Sequence, residues 1–149
     1  MKTEAAFWDT SALVPLCVRE NASRFARQQL RRYTPVVWWG TRVEIHSAIS
    51  RLLRAKQITQ SESQGARSRL QALEASWKEI LPTDDVCDVA EQLLSKHVLL
   101  AADGLQLAAA LEWCRQRPAK RIFLCADERL SVAAAAAGFA VIQFPHAQP

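Results

Sequence analysis

The chain has 149 residues, half of them hydrophobic, with 23% charged residues and a formal net charge of +4. That length suits one ordinary domain, and the apolar content supplies a real core and excludes disorder as the main state. No stretch of about 20 apolar residues runs free of charge, which excludes a spanning helix, and residues 1–9 lack the apolar core of a signal peptide, so a cytoplasmic protein is expected.

No internal repeat and no Gly/Ser linker divides the chain, which reads as a single domain over 1–149. Thr3 to Trp8 is a short apolar run that predicts a first strand ending at Asp9. In the segment that follows, Pro15 suits the first turn of a helix. Asn21 is placed to cap a second helical stretch over roughly residues 22–32. Pro35 to Trp39 predicts a strand of bulky β-formers. Thr41 is placed to cap a helix to about Lys56, in which Val43, Ile45, Ala48, Ile49, Leu52 and Leu53 recur at near-helical spacing. A more polar helix is expected over about Gln60–Glu74, then a short strand over Trp77–Leu81. Thr83-Asp84-Asp85 opens a helix of about 84–96, with Asp84, Asp85 and Asp88 complementing its dipole. Asp103 opens the next, to about Gln116. Arg121–Ala126 predicts a buried strand. Asp127 caps a helix through the alanines 133–137 that Gly138 ends. Val141–Phe144 closes as a last strand. Strands alternating with helices predict an α/β fold with a parallel sheet covered on both faces. In such sheets the functional crevice lies beyond the carboxyl ends of the strands, at the switch point.

Other chemistries are weakly signalled. Cys17, Cys87, Cys114 and Cys125 have no C-x-x-C spacing and read as buried thiols in a reducing compartment. No Gly-rich phosphate loop follows the first strand. His46, His97 and His146 are isolated in the sequence, and Ser11 has no nucleophile-elbow context. Arg19, Arg24, Arg27, Arg31 and Arg32 face Glu20 alone, and Arg115, Arg117, Lys120 and Arg121 form a second basic cluster. Each cluster reads either as a solvated helix face or as a phosphate contact. Arg27 and Arg31 are the candidates for RNA contact.

The acids are more informative. Asp9 ends the first strand, Glu44 lies early in the helix after Trp38-Trp39, Asp103 sits at a helix start, and Asp127 ends the fourth strand. Asp103 and Asp127 can serve as helix caps, and Glu44 can complement a helix dipole. Asp9 follows Ala-Ala-Phe-Trp directly, and a carboxylate there is costly unless hydrogen-bonded or paired. If the four meet in one cleft they repel each other, and no lysine is placed among them. Hard oxygen ligands of this kind suit Mg²⁺ or Mn²⁺, and such a metal site predicts phosphodiester hydrolysis. The hydroxyl of Thr10 or Ser11 is placed to support Asp9.

These segments resemble the PIN-domain family, and most of all its VapC-type ribonuclease toxins. Asp9-Thr10-Ser11-Ala12-Leu13 is similar to the family's opening motif. Glu44 in Thr-Arg-Val-Glu-Ile-His-Ser-Ala matches its helical glutamate. Ala102-Asp103-Gly104-Leu105-Gln106 resembles the third motif, and Leu124-Cys125-Ala126-Asp127 with the alanines and Gly138-Phe139 resembles the fourth. The resemblance covers nearly the whole chain. It implies a three-layer α/β/α domain around a mainly parallel, about five-stranded sheet. It implies Mg²⁺- or Mn²⁺-dependent endoribonuclease activity through Asp9, Glu44, Asp103 and Asp127. It also implies a homodimer and a cognate antitoxin, for whose groove Leu13, Leu16, Phe25 and Leu52 are candidates. Leu100, Gln106 and Cys125 depart from the family's commoner Arg, His and Thr/Ser, which bears on substrate preference and metal number. Two other functions compete: a catalytically silent RNA-binding module, which requires a lost acid, and an aspartate-nucleophile phosphatase, which typically requires an acid where Ser11 stands.

Overall fold

The computed structural model describes residues 2–145, so His146 lies outside the described residues. Along the chain stand β1 (Glu4–Trp8), α1 (Thr10–Cys17), α2 (Ser23–Leu30), β2 (Tyr33–Trp38), α3 (Thr41–Arg54) and α4 (Gln60–Glu74). There follow β3 (Lys78–Ile80), α5 (Asp84–Lys96), α6 (Ala101–Trp113), β4 (Ile122–Cys125), α7 (Glu128–Ala137) and β5 (Ala140–Gln143). The five strands form one sheet in the order β3-β2-β1-β4-β5, parallel throughout. The chain builds outward from β1 through β2 to β3, then returns to the other side of β1 for β4. The switch point therefore lies between β1 and β4, where Phe7 pairs with Phe123 and Trp8 with Leu124.

Alternation of side chains along each strand divides the core into two halves. Phe7, Phe123 and Cys125 face α5, α6 and α7, where Leu93, Leu107, Leu111 and Leu130 close one layer. Ala6, Trp8, Leu124 and Phe144 face α1 to α4, where Leu13, Ile45, Ile49 and Leu70 close the other. The result is a three-layer α/β/α domain whose sheet is buried on both faces, which is why its strands read as apolar runs. No helix among the described residues is long and apolar enough to cross a membrane.

Several helix boundaries differ from the expected ones. Pro15 stands sixth in α1 rather than in its first turn. α2 starts after Ala22 with no side-chain cap, so Asn21 does not cap it. β2 begins two residues before Pro35 and ends at Trp38. Thr41 is the first residue of α3, behind Gly40, and its hydroxyl is used elsewhere. α6 begins at Ala101, behind Leu100, which puts Asp103 inside the first turn instead of at the cap. β5 runs one residue earlier than expected. By contrast, α4 and α5 match their expected spans, each opened by a threonine cap, Thr59 on Glu62 N and Thr83 on Val86 N. Asp127 caps α7 as expected, and Gly138 ends it with φ 113°, a left-handed conformation that favours glycine. Cys17, Cys114 and Cys125 are buried, but Cys87 is exposed on α5, because it stands on the solvent face of an amphipathic helix.

Candidate active site

β1, β2 and β4 run in one direction, so whatever follows their carboxyl ends gathers on one side of the sheet. Asp9 follows β1, and its backbone N–H donates to Leu124 O at 3.0 Å, fastening it to β4. It is the N-cap of α1: Oδ2 accepts from Ser11 N at 3.2 Å and from Ser11 Oγ. Ser11 Oγ in turn accepts from Ala126 N at 2.9 Å, which ties α1 to the link between β4 and α7. The Cys125 thiol donates to Asp9 Oδ2 at 3.7 Å and accepts from Asp127 N at 3.3 Å. Asp9 is only 4% exposed. Burial pushes its carboxyl up to about 6, the Ser11 bonds hold it back, and the charge of Asp103 adds to the rise.

Glu44 stands in the first turn of α3, half-buried, and its Oε1 accepts from Gln106 Nε2 at 3.0 Å. Gln106 is wholly buried on α6, and the same nitrogen reaches Thr10 Oγ1 at 2.8 Å and Thr41 Oγ1 at 3.1 Å. One amide thus pins the first residues of α1 and α3 together with the glutamate. Thr10 supports Glu44's anchor, whereas Ser11 supports Asp9. Burial pushes Glu44 up to about 7, the charge of Asp9 raises it further, and Gln106 pulls the other way. Asp103, third in α6, is also raised, first by burial and then by Asp127, against the pull of a Leu100 backbone bond and of Arg129. Asp127 Oδ1 accepts from Leu130 N at 2.9 Å as the α7 cap, and Asp127 also lines the cleft. The cap expected at this position is therefore observed, and the same residue borders the cleft.

All four acids line one open cleft of about 500 Å³, with Thr10, Ser11, Val14, Val43, Ser47, Ala48 and Arg51. Each carboxylate stands at or within the first turn of a helix, where the dipole offsets part of the mutual repulsion. Among the described residues no group of three or more His, Cys, Asp or Glu side chains is drawn together closely enough to hold a metal ion. An open, all-carboxylate cleft does fit a cation that keeps several waters and takes one or two protein carboxylates, which is the habit of Mg²⁺. It does not fit the closed thiolate and imidazole sets of structural zinc.

Arg27 and Arg31 do not line this cleft. Arg31 precedes β2, whose first residue pairs with Glu4 at the start of β1, so it lies at the end of the sheet opposite Asp9, about 15 Å away along the strand. Arg27 lines a separate hollow with Arg19, Glu62 and Arg69. Leu13 is fully buried, and Leu16, Phe25 and Leu52 pack partly buried against the same core half. Ser47 and Arg51 were not singled out from the sequence. The signal was their spacing, since positions 44, 47, 48 and 51 share one helix face.

No protein-family model matches the chain, and no curated protein sequence matches it significantly. Solved structures do resemble it. VapBC2 from Rickettsia felis, solved bound to a DNA fragment from its promoter, superposes with TM-score 0.66 at 10% identity, covering 95% of this chain and 99% of that one. FitAcB from Neisseria gonorrhoeae gives 0.64 at 16% identity, over 93% and 96%. A toxin–antitoxin complex from Klebsiella pneumoniae gives 0.59 at 17% identity, over 85% and 91%. At these identities the likeness establishes the fold, and the chain has the PIN-domain fold.

Proposed function

We propose that this chain is a Mg²⁺- or Mn²⁺-dependent endoribonuclease, the toxin of a toxin–antitoxin pair. The observation that carries the reading is the convergence of Asp9, Glu44, Asp103 and Asp127, from four separate elements, on one open cleft at the switch point. Carboxylates held this way are expensive without a cation: Asp9, Glu44 and Asp103 are all raised, and each feels another acid of the group. When bound, a divalent cation supplies Lewis acidity and neutralises charge on the phosphodiester.

The chain's own residues do the remaining work. Asp9 is fixed in the lining of the cleft, its Oδ2 held by Ser11 and its backbone by β4. Asp103 on α6 and Asp127 at the start of α7 line the same cleft, and the Asp127 charge raises Asp103. Glu44, pushed up to about 7 and oriented by Gln106 at Oε1, can hold or release a proton at Oε2 near neutral pH. Because Glu44 still holds part of its proton near pH 7, and Asp9 does so near pH 6, cation binding should release protons and tighten as pH rises. The likeness to toxin–antitoxin complexes supports a cognate antitoxin as partner, and a homodimer belongs to the same reading.

The test is cleavage of RNA by the purified chain in Mg²⁺ or Mn²⁺ against EDTA, with Asp9→Asn as the control. Metal-dependent cleavage lost in the variant is the expected result. Equal cleavage by Asp9→Asn would sink the assignment. RNA bound but never cut, with metal present, would favour the silent RNA-binding module instead.

A further inference from the structure

An acidic cleft repels the polyanion it is meant to cut. A bound cation offsets that repulsion at the phosphate being attacked, but the neighbouring phosphates need positive charge of their own. Among the described residues, Arg51 is the only cationic side chain lining the main cleft. It shares a face of α3 with Glu44, Ser47 and Ala48 and lies about 10 Å further along the helix axis. Side chains on a helix lean toward its N-terminus, so the Arg51 stem leans back toward Glu44.

On the other side, an adjoining hollow is lined by Leu100, Asp103, Ala126, Asp127, Glu128 and Arg129. It shares Asp103 and Asp127 with the main cleft, so the two form one continuous trough. Arg51 lines the main cleft on the α3 face that carries Glu44, and Arg129 lines the adjoining hollow with Asp103 and Asp127. Both arginines are exposed. Among the described residues the salt bridge joins Arg42 and Glu74, and Arg129 acts on the Asp103 charge from beyond ion-pair distance. Guanidinium groups match phosphate oxygens in a two-pronged geometry that lysine does not reproduce.

We propose that single-stranded RNA lies along this trough, with the phosphate to be cut over the carboxylates, one neighbouring phosphate on Arg51 and another on Arg129. The proposal rests on the nuclease reading above and assigns its substrate track.

The experiment uses the full chain and a fluorescein-labelled single-stranded RNA dodecamer of random sequence. Binding is followed by anisotropy in Ca²⁺, between roughly 50 and 200 mM salt, with RNA integrity checked on a gel. Arg51→Met and Arg129→Met should each weaken binding about tenfold, as loss of a charged hydrogen-bonding partner does. Each should lower the slope of log affinity against log salt by about 0.7, and the double variant by about 1.4. Arg51→Lys should keep the slope and lose part of the affinity. Arg54→Met, an exposed arginine of the same helix outside the trough, should change neither. If Arg51→Met and Arg129→Met behave like Arg54→Met while the unaltered chain binds RNA, the track is overturned and the nuclease reading stands. If the unaltered chain binds no RNA in Ca²⁺, the track is overturned, and the cleavage assay in Mg²⁺ or Mn²⁺ decides the nuclease reading on its own.

Discussion

Replacing Asp9 with Asn removes the charge but keeps the volume and an acceptor for the Ser11 bonds. The consequence for stability follows from the raised carboxyl, which moves from 3.8 to about 6 on folding. The folded chain therefore holds this proton more tightly than the unfolded chain does. Stability is full below the unfolded value near 4 and is lost as pH rises through 6. A shift of about 2 units is worth about 3 kcal/mol at 1.4 kcal/mol per unit. Asn cannot ionise, so the variant escapes that loss. In EDTA at pH 8, Asp9→Asn should be more stable by up to about 3 kcal/mol, or about 6–12 °C in melting temperature for a chain of this size. At pH 4 the two should converge. Removing the Asp9 charge also relieves Glu44, which it raises, so the gain is reinforced. Mn²⁺ should restore the unaltered chain at pH 8 and do little for the variant, because the cation favours the ionised carboxylate. Scanning calorimetry at pH 4, 5, 6 and 8, with and without Mn²⁺, reads all of this. If both proteins melt together at pH 8 in EDTA, Asp9 is not held against its charge and the electrostatic account of the cleft is wrong.

Gln106→Ala should cost about 1–3 kcal/mol, because Thr10, Thr41 and Glu44 lose a shared donor in a buried place. Cleavage should fall with it as Glu44 is freed, and Gln106→His, whose ring N–H can donate to the same oxygens, should recover part of both; thermal melts and cleavage rates check the pair. Native labelling with a thiol reagent should modify Cys87 alone, since Cys17, Cys114 and Cys125 are buried and burial pushes the Cys17 and Cys125 thiols up to about 11 and 12. Mass spectrometry should count one adduct in the folded chain and four after denaturation, and early labelling of Cys125 would contradict the closed packing beside Asp9.

The elements that were legible in the sequence are those whose causes are local. α5 was found over its observed span because Thr83 caps it and Asp84 and Asp85 charge its first turn. The strands showed as apolar runs because both sheet faces are buried. The boundaries that slipped have causes that local chemistry hides. α6 opens behind Leu100 and α2 behind Ala22, neither of which has a capping side chain to announce a start. Thr41 was misplaced for a different reason. A threonine ahead of an amphipathic stretch ordinarily caps it, but this hydroxyl is claimed by Gln106, 65 residues later in the chain. The same distinction separates the acids from the arginines. A carboxylate at the end of an apolar strand has no cheap local explanation, so Asp9 pointed to a site before any contact was known, and the switch-point rule placed Asp127 beside it. An arginine on an exposed helix face needs no explanation at all. Clusters such as Arg27 and Arg31 stand out by density, yet they lie at the far end of the sheet, while Arg51, unremarkable in its own neighbourhood, faces the carboxylates. Acids of this kind are legible where folding them costs energy, whereas surface arginines cost little, and only the assembled cleft distinguishes one beside the acids from one on a solvated face.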